Sequence, residues 1–211
     1  GCRSMCATSG GGFALMTEGI GEAGMMEIPI VVVNVQRAGP STGVPTKTEQ
    51  GDLWQVLGAS QGDFPKLILA PSSPLDGFQT IPDVFNLTDK YQLPAIILSD
   101  LLISDETSTI DPKLLDMHPI IDRGELITEV GEEAGEYERY KFTESGISPR
   151  ALPGIPGYEH VVASDEHMPS GVLISDEFTH PHKRRAMMEK RQQKMDGLLA
   201  ELPPPTIIGD P

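Results

Sequence analysis

Two nearly uninterrupted apolar runs, IPIVVVNV at 28–35 and PAIILSD at 94–100, do most to limit what this chain can become. A strand with one wet face alternates apolar and polar residues, whereas a strand covered on both faces reads as a continuous Val/Ile/Leu run. Buried strands of this kind belong to parallel sheets, whose crossovers need helices between strands. The neighbouring segments supply that rhythm. GCRSMCAT precedes the helix-like FALMTEGIGEAG, while DLWQVLGAS, KLILA and a longer helical stretch separate the two apolar runs. The expected class is therefore α/β, a mainly parallel sheet with helices on both faces and right-handed crossovers, occupying residues 1–105. Pro82 lies inside the helical stretch between Pro74 and Tyr91, where its missing N–H predicts a kink or split.

From about Ile103 to Gly171 the periodicity vanishes among acidic clusters and PRALPGIPG, so 106–171 is expected to be an irregular connecting arm. Residues 172–211 hold a C-terminal helix and a linker. The helix, HKRRAMMEKRQQKMDGLLAEL at 182–202, sets Met188, Met195, Leu198, Leu199 and Leu202 at near-helical spacing and stops at the PPP of 203–205. Its cations Lys183, Arg184, Arg185, Lys190, Arg191 and Lys194 are expected to form a solvated face. Gly1 leads straight into a strand and IIGDP reads as the lead-in to a further element, so the chain is expected to be one portion of a longer one.

The formal charge of −15, from 31 acidic and 16 basic residues, argues against nucleic acid or an anionic membrane as a partner. A small anionic substrate would need a local cationic pocket. No run approaches the roughly 18 apolar residues of a membrane helix, and no secretory leader is legible, which reads as cytoplasmic. Cys2 and Cys6 are the only cysteines. They are expected on one face of a strand as buried thiols in a reducing compartment.

Two loops could carry chemistry, because each follows a strand at its carboxyl end, where α/β proteins bind ligands. Thr8-Ser9-Gly10-Gly11-Gly12 allows close backbone approach and opens a helix with free N–H groups. It is also consistent with an ordinary turn capped by Thr8 or Ser9. Gln36-Arg37-Ala38-Gly39-Pro40-Ser41-Thr42-Gly43-Val44-Pro45-Thr46 offers a guanidinium for a carboxylate and several hydroxyls. Arg37 in a structural ion pair is the plainer alternative. Glu49, Asp52 and Asp100 are expected to serve as caps or ion-pair partners rather than catalytic acids.

Taken together, GCRSMCATSGGGFALMTEGIGEAG, VVVNVQRAGPSTGVPTKTEQGDL and PAIILSD resemble, in order and spacing, the pyrimidine-binding domain of 2-oxoacid:ferredoxin oxidoreductase alpha subunits. YKFTESGISPRALPG, SDEH and EKRQQKMDGL extend the resemblance with less specificity. That family decarboxylates a 2-oxoacid oxidatively with thiamine diphosphate, passes electrons through iron–sulfur clusters to ferredoxin and forms an acyl-coenzyme A. The resemblance implies that Arg37 and Thr46 bind the substrate's carboxylate and keto-acid end. It implies that Thr8, Ser9 and Gly10 line the cofactor's aminopyrimidine. It further implies a beta subunit that shares the thiamine diphosphate and, with other partner chains, holds the magnesium and iron–sulfur clusters. No catalytic residue is assigned within the chain, because the activating glutamate of the family would precede Gly1, and the chain alone is expected to be inactive. The alternative is a degenerate pyrimidine-type domain acting as a scaffold or dimerisation module.

His160, Asp165, Glu166, His167, His180 and His182 lack a metal-ligand spacing, and the histidines are expected at the surface. No CxxC motif is present for a cluster.

Overall fold

A computed structural model of the chain describes residues 2–176, 178–204, 207 and 209. Four strands, β1 (Met5–Thr8), β2 (Ile30–Gln36), β3 (Leu67–Leu69) and β4 (Pro94–Asp100), form one parallel sheet in the order β1-β2-β4-β3. Between them lie α1 (Gly10–Met25), α2 (Leu53–Leu57) and α3 (Pro74–Tyr91); α4 (Leu101–Asp105) follows β4 directly.

The strand period of two divides the apolar residues between two cores. Val31, Ala95, Ile97 and Leu67 face one way and pack with Val84 and Tyr91 of α3. Val32, Ile96 and Leu98 face the other and pack with Phe13 and Ile20 of α1 and Val56 of α2. Continuous apolar runs are thus what a sheet covered on both sides requires.

β1 is an edge strand, and this corrects the expectation for the cysteines. The strand begins at Met5, so Cys2 falls outside it, and both Cys2 and Cys6 are exposed free thiols. At the sheet edge the Cys6 Sγ lies 4.0 Å from Met16 Sδ.

α3 runs unbroken through Pro82, contrary to the expected split. Its ends are firmly built. Ser73 caps it by accepting from Asp76 N at 3.2 Å, Pro74 opens it, and Gln92 closes it in the left-handed region.

Among the described residues of 106–180 there are one short 3-10 turn (Pro112–Leu114) and two two-residue strands, β5 (Leu126–Ile127) and β6 (Arg150–Ala151). Buried polar contacts, rather than regular structure, fasten this arm to the residues just before β2 and β4. Tyr140 Oη donates to Met26 O at 3.1 Å, Arg139 Nη2 to Glu27 O at 3.0 Å, and Gln92 Nε2 to Ser148 O at 2.6 Å. His167 stacks on Tyr140 with centroids 3.9 Å apart and is fully buried, whereas His160, His180 and His182 are exposed. Burial lowers the His167 imidazole's proton affinity and pushes the Tyr140 phenol up to about 12.

The final helix, α5 (Pro181–Glu201), overturns the reading of its basic residues as one solvated face. Lys190, Arg191 and Lys194 are buried. Lys190 Nζ and Lys194 Nζ clamp the buried carboxylate of Glu27 at 2.8 and 2.9 Å, and Arg191 Nη2 holds both Glu166 oxygens at 2.8 Å. Leu198 joins the α3-side core, while Leu199 is 61% exposed. The helix ends at Glu201, just before the PPP segment, as expected; Pro205 and most of IIGDP lie outside the described residues.

Candidate functional site

The carboxyl ends of β1, β2 and β4 meet at Thr8, Gln36 and Asp100, since Thr8 pairs with Asn34 and Gln36 with Asp100. The glycines after β1 have steric reasons. A Cβ on Gly12 would come within 1.9 Å of Thr8 Oγ1, so the Thr8 side chain can lie against α1 only because residue 12 has none. Ser9 occupies the N-cap position but makes no side-chain cap hydrogen bond, which leaves its hydroxyl for other use.

After β2 the chain turns back on itself. Ala38 and Val44 form an antiparallel bridge, with Val44 N donating to Ala38 O at 2.9 Å. Gly43, at φ +53°, lies so close under Ala38 O that a Cβ would be 1.9 Å from it. The Gly39–Pro40 peptide is cis.

A side-chain network pins the far end of this loop across two strands. Gln36 Oε1 accepts from Asp52 N at 3.1 Å and its Nε2 donates to Ser99 O at 3.3 Å. Asn34 Nδ2 donates to Asp52 Oδ2 at 2.9 Å, and Gln50 Nε2 to Asp100 Oδ2 at 2.6 Å. Asp100 Oδ1 also caps α4 by accepting from Ile103 N at 2.9 Å. That backbone N–H and the Gln50 amide hold the Asp100 carboxyl below its ordinary range. Asp100 thus acts as a cap, as expected, whereas Asp52 neither caps α2 with its side chain nor forms an ion pair but accepts from the neutral Asn34 amide. The framework roles of Asn34, Gln36 and Gln50 went unread. The available signal was the placing of polar Asn34 and Gln36 two residues apart in an otherwise apolar strand, on one face.

Within this frame Thr8, Ser9 and Arg37 come together around a cavity of about 320 Å³, which Gln36, Pro45 and Leu101 also line. Gly10 sits beneath the guanidinium, where a Cβ would approach Arg37 Nε to 3.3 Å. Thr46 is exposed and does not line the cavity; its neighbour Pro45 does. Arg37 is half-buried, and its Nε is buried without a hydrogen-bond partner among the described residues. A guanidinium with no carboxylate against it among the described residues, at a parallel sheet's carboxyl edge, has the chemistry to accept an anion.

Residues 1–189 match the family described as pyruvate flavodoxin/ferredoxin oxidoreductase, thiamine diphosphate-binding. The chain belongs to this family. It is 39% identical over 206 residues to the alpha subunit of a 2-oxoacid:ferredoxin oxidoreductase from Sulfurisphaera tokodaii, covering 96% of this chain and 31% of that protein. It is 36% identical to the 2-oxoglutarate oxidoreductase subunit KorA of Mycobacterium tuberculosis, covering 94% of this chain and 29% of the relative. The fold matches a 2-oxoglutarate:ferredoxin oxidoreductase from Magnetococcus marinus, solved with 2-oxoglutarate, coenzyme A and succinyl-CoA bound. That match has a TM-score of 0.82 and 36% identity, over 100% of this chain and 36% of that one. The α/β class expected from the apolar runs is that of this family member. The chain spans about a third of the length of these relatives.

Among the described residues, no three His, Cys, Asp or Glu side chains come close enough together to hold a metal ion. No helix among them is long and apolar enough to cross a membrane.

Proposed function

We propose that the chain is part of the alpha subunit of a thiamine-diphosphate-dependent 2-oxoacid:ferredoxin oxidoreductase, in which the β1 and β2 loops form one wall of the active site. The observation that carries this reading is the half-buried Arg37, whose Nε lacks a partner beside the Gly10 cradle. The substrate's carboxylate supplies the missing acceptor, and Thr46, one residue beyond the cavity's Pro45, reaches the keto-acid end. A scaffold would leave that buried donor without a purpose.

Thr8, Ser9 and Gly10 fit the edge of an aminopyrimidine, with a free Ser9 hydroxyl and a backbone that no side chain blocks. Thiamine diphosphate, when bound, supplies the nucleophilic carbon and the electron sink for decarboxylation. The chain's own share is recognition and positioning. Arg37 fixes the carboxylate, Leu101 and Pro45 flank it, and the Gln36–Asp52 network holds the loop in place. None of the residues lining the cavity is a carboxylate, and Asp52 and Asp100 already accept from Asn34, Gln50 and Ile103. A proton relay to the cofactor ring is therefore assigned to no residue here. The remaining parts of the reading are a beta subunit that shares the cofactor, magnesium and iron–sulfur clusters in partner chains, ferredoxin as the eventual acceptor, coenzyme A as acyl acceptor, and a cytoplasmic setting.

Arg37→Ala in the complete enzyme is expected to lower kcat/KM by the equivalent of about 1.5–3 kcal/mol, the scale of one hydrogen bond to a charged group. Unchanged kinetics with pyruvate, 2-oxoglutarate and branched-chain oxoacids would exclude this role. Titration calorimetry should register thiamine diphosphate with magnesium only when the beta subunit accompanies the chain. Binding to the chain alone would contradict a shared site.

A further inference from the structure

At the opposite end of the sheet the arm packs beside the amino end of β2 and forms a second cavity, of about 220 Å³. Arg123, Arg139 and Arg150 line it together with Glu27, whose carboxylate Lys190 and Lys194 neutralise, and with Ile28, Tyr140, His160 and Val162. It lies roughly 20 Å from the Arg37 cavity, the length of a seven-residue strand, and is independent of the function proposed there.

The charge around it does not balance. Asp89, 3% exposed, is bracketed by Arg3 at 2.8 Å, Arg123 at 2.7 Å and Arg150 at 2.9 Å. Glu27 already carries Lys190 and Lys194, and Arg139 donates to the Glu27 carbonyl rather than to a carboxylate. Leaving Arg123 aside, five cationic side chains (Arg3, Arg139, Arg150, Lys190 and Lys194) gather about two carboxylates, in a chain of net charge −15. The nearby acids Asp122 and Glu125 are exposed and do not line the cavity, and Asp122 Oδ1 is engaged by Gly124 N. Buried cationic excess is costly unless an anion accompanies it.

Two buried donors point independently to such an anion. Arg139 is 5% exposed, stacks on Tyr140 at 4.8 Å and has a buried Nη1 with no partner among the described residues. Arg150 Nε is in the same state. Each orphaned donor costs about 1–3 kcal/mol, and both belong to walls of one cavity.

We propose that this cavity binds a small phosphate monoester carried on an apolar body, with Arg139 and Arg150 holding the phosphate and Tyr140, Ile28 and Val162 flanking the body. A dianion answers an excess of more than one positive charge better than a carboxylate does, and a tetrahedral head accepts from two guanidiniums arriving from different elements. The space is below the roughly 300–1,000 Å³ of drug-sized sites, which suits a head group and one small ring.

Calorimetric titration of the full chain with phenyl phosphate, inorganic phosphate and benzoate tests this. Phenyl phosphate should bind at least about tenfold more tightly than either other anion. Val162→Trp, which fills the cavity from a rim position 38% exposed, and Arg150→Lys should each weaken it by about tenfold or more. Arg37→Ala should leave it unchanged, and circular dichroism verifies that each variant folds. The site is overturned by the absence of heat at millimolar phenyl phosphate, or by binding that survives Val162→Trp and is lost in Arg37→Ala. Benzoate binding as tightly as phenyl phosphate would overturn the phosphate class, and equal binding of inorganic phosphate would overturn the apolar body.

Discussion

Glu27 is fully buried at a left-handed φ of 53°, a conformation that disfavours side chains other than glycine, asparagine or aspartate. It persists there because two ammonium groups converge on its carboxylate. Burial alone would raise that carboxyl, but Lys194 and Lys190 hold it down at about 2, below an ordinary 4.5. A folded value below the unfolded one gives stability that is complete above about pH 4.5 and drains away as pH falls towards 2. Burial also pushes Lys194 down to about 8, against the pull of Glu27. The folded chain then releases this proton before the unfolded chain does, so stability rises between about pH 8 and 10.5. Urea midpoints followed from acid to alkaline pH should rise across both windows. Glu27→Gln should flatten the acid limb and cost about 3–5 kcal/mol at neutral pH, by leaving buried ammoniums uncompensated. A wild-type midpoint that does not change across the acid window would refute this account of the cluster.

At the scale of elements, α3 tolerates an interior proline because its ends and its packing outweigh the lost hydrogen bond. The Ser73 cap, Asp76 in the first turn and Lys90 in the last all favour the helix, and Val84 and Tyr91 anchor it to the sheet. Pro82→Ala restores a donor for the Phe78 carbonyl and should stabilise the chain by roughly 1–3 kcal/mol, read as a higher melting temperature. A lower one would mean that the proline's shape is itself required. Sequence reasoning found α3 and mistook its continuity, since a local rule carries no information about tertiary support. It erred more with α5. Lys190 and Lys194 read as solvated because nothing within the helix could neutralise them; their carboxylate lies 163 and 167 residues earlier. His167 was misjudged for the same reason, its burial depending on Tyr140 and on Met25 O, 3.3 Å from its Nε2. By contrast β2 and β4 were legible, because burial on both faces is written into each strand's own residues. Arg37, Thr8 and Ser9 were legible as neighbours, because consecutive parallel strands bring successive carboxyl-end loops together. The Gln36–Asp52 frame around them required coordinates.

For the molecule as a whole, apolar layers close both faces of the sheet but leave large side chains uncovered on β1, α1 and α2. Leu15 is 87% exposed and Trp54 82%, with Met5, Leu53 and Leu57 also open. Several such residues on neighbouring elements are more than a monomeric surface ordinarily carries, and they lie beside the loops proposed to share a cofactor with a second subunit. Trp54 is the only tryptophan, so its fluorescence reports on this region alone. In the isolated chain its emission should be that of a solvated indole, readily quenched by acrylamide. Assembly with the beta subunit should shift the emission to the blue and reduce quenching, because desolvating an aromatic anchor is how protein interfaces gain much of their energy. Replacing Trp54 with Ala should then weaken assembly by about 2 kcal/mol or more while leaving the chain's own unfolding midpoint within about 0.5 kcal/mol, since the ring contributes little to its core. Emission that stays solvated in a complex still competent to bind thiamine diphosphate would move the subunit interface to another face of the sheet.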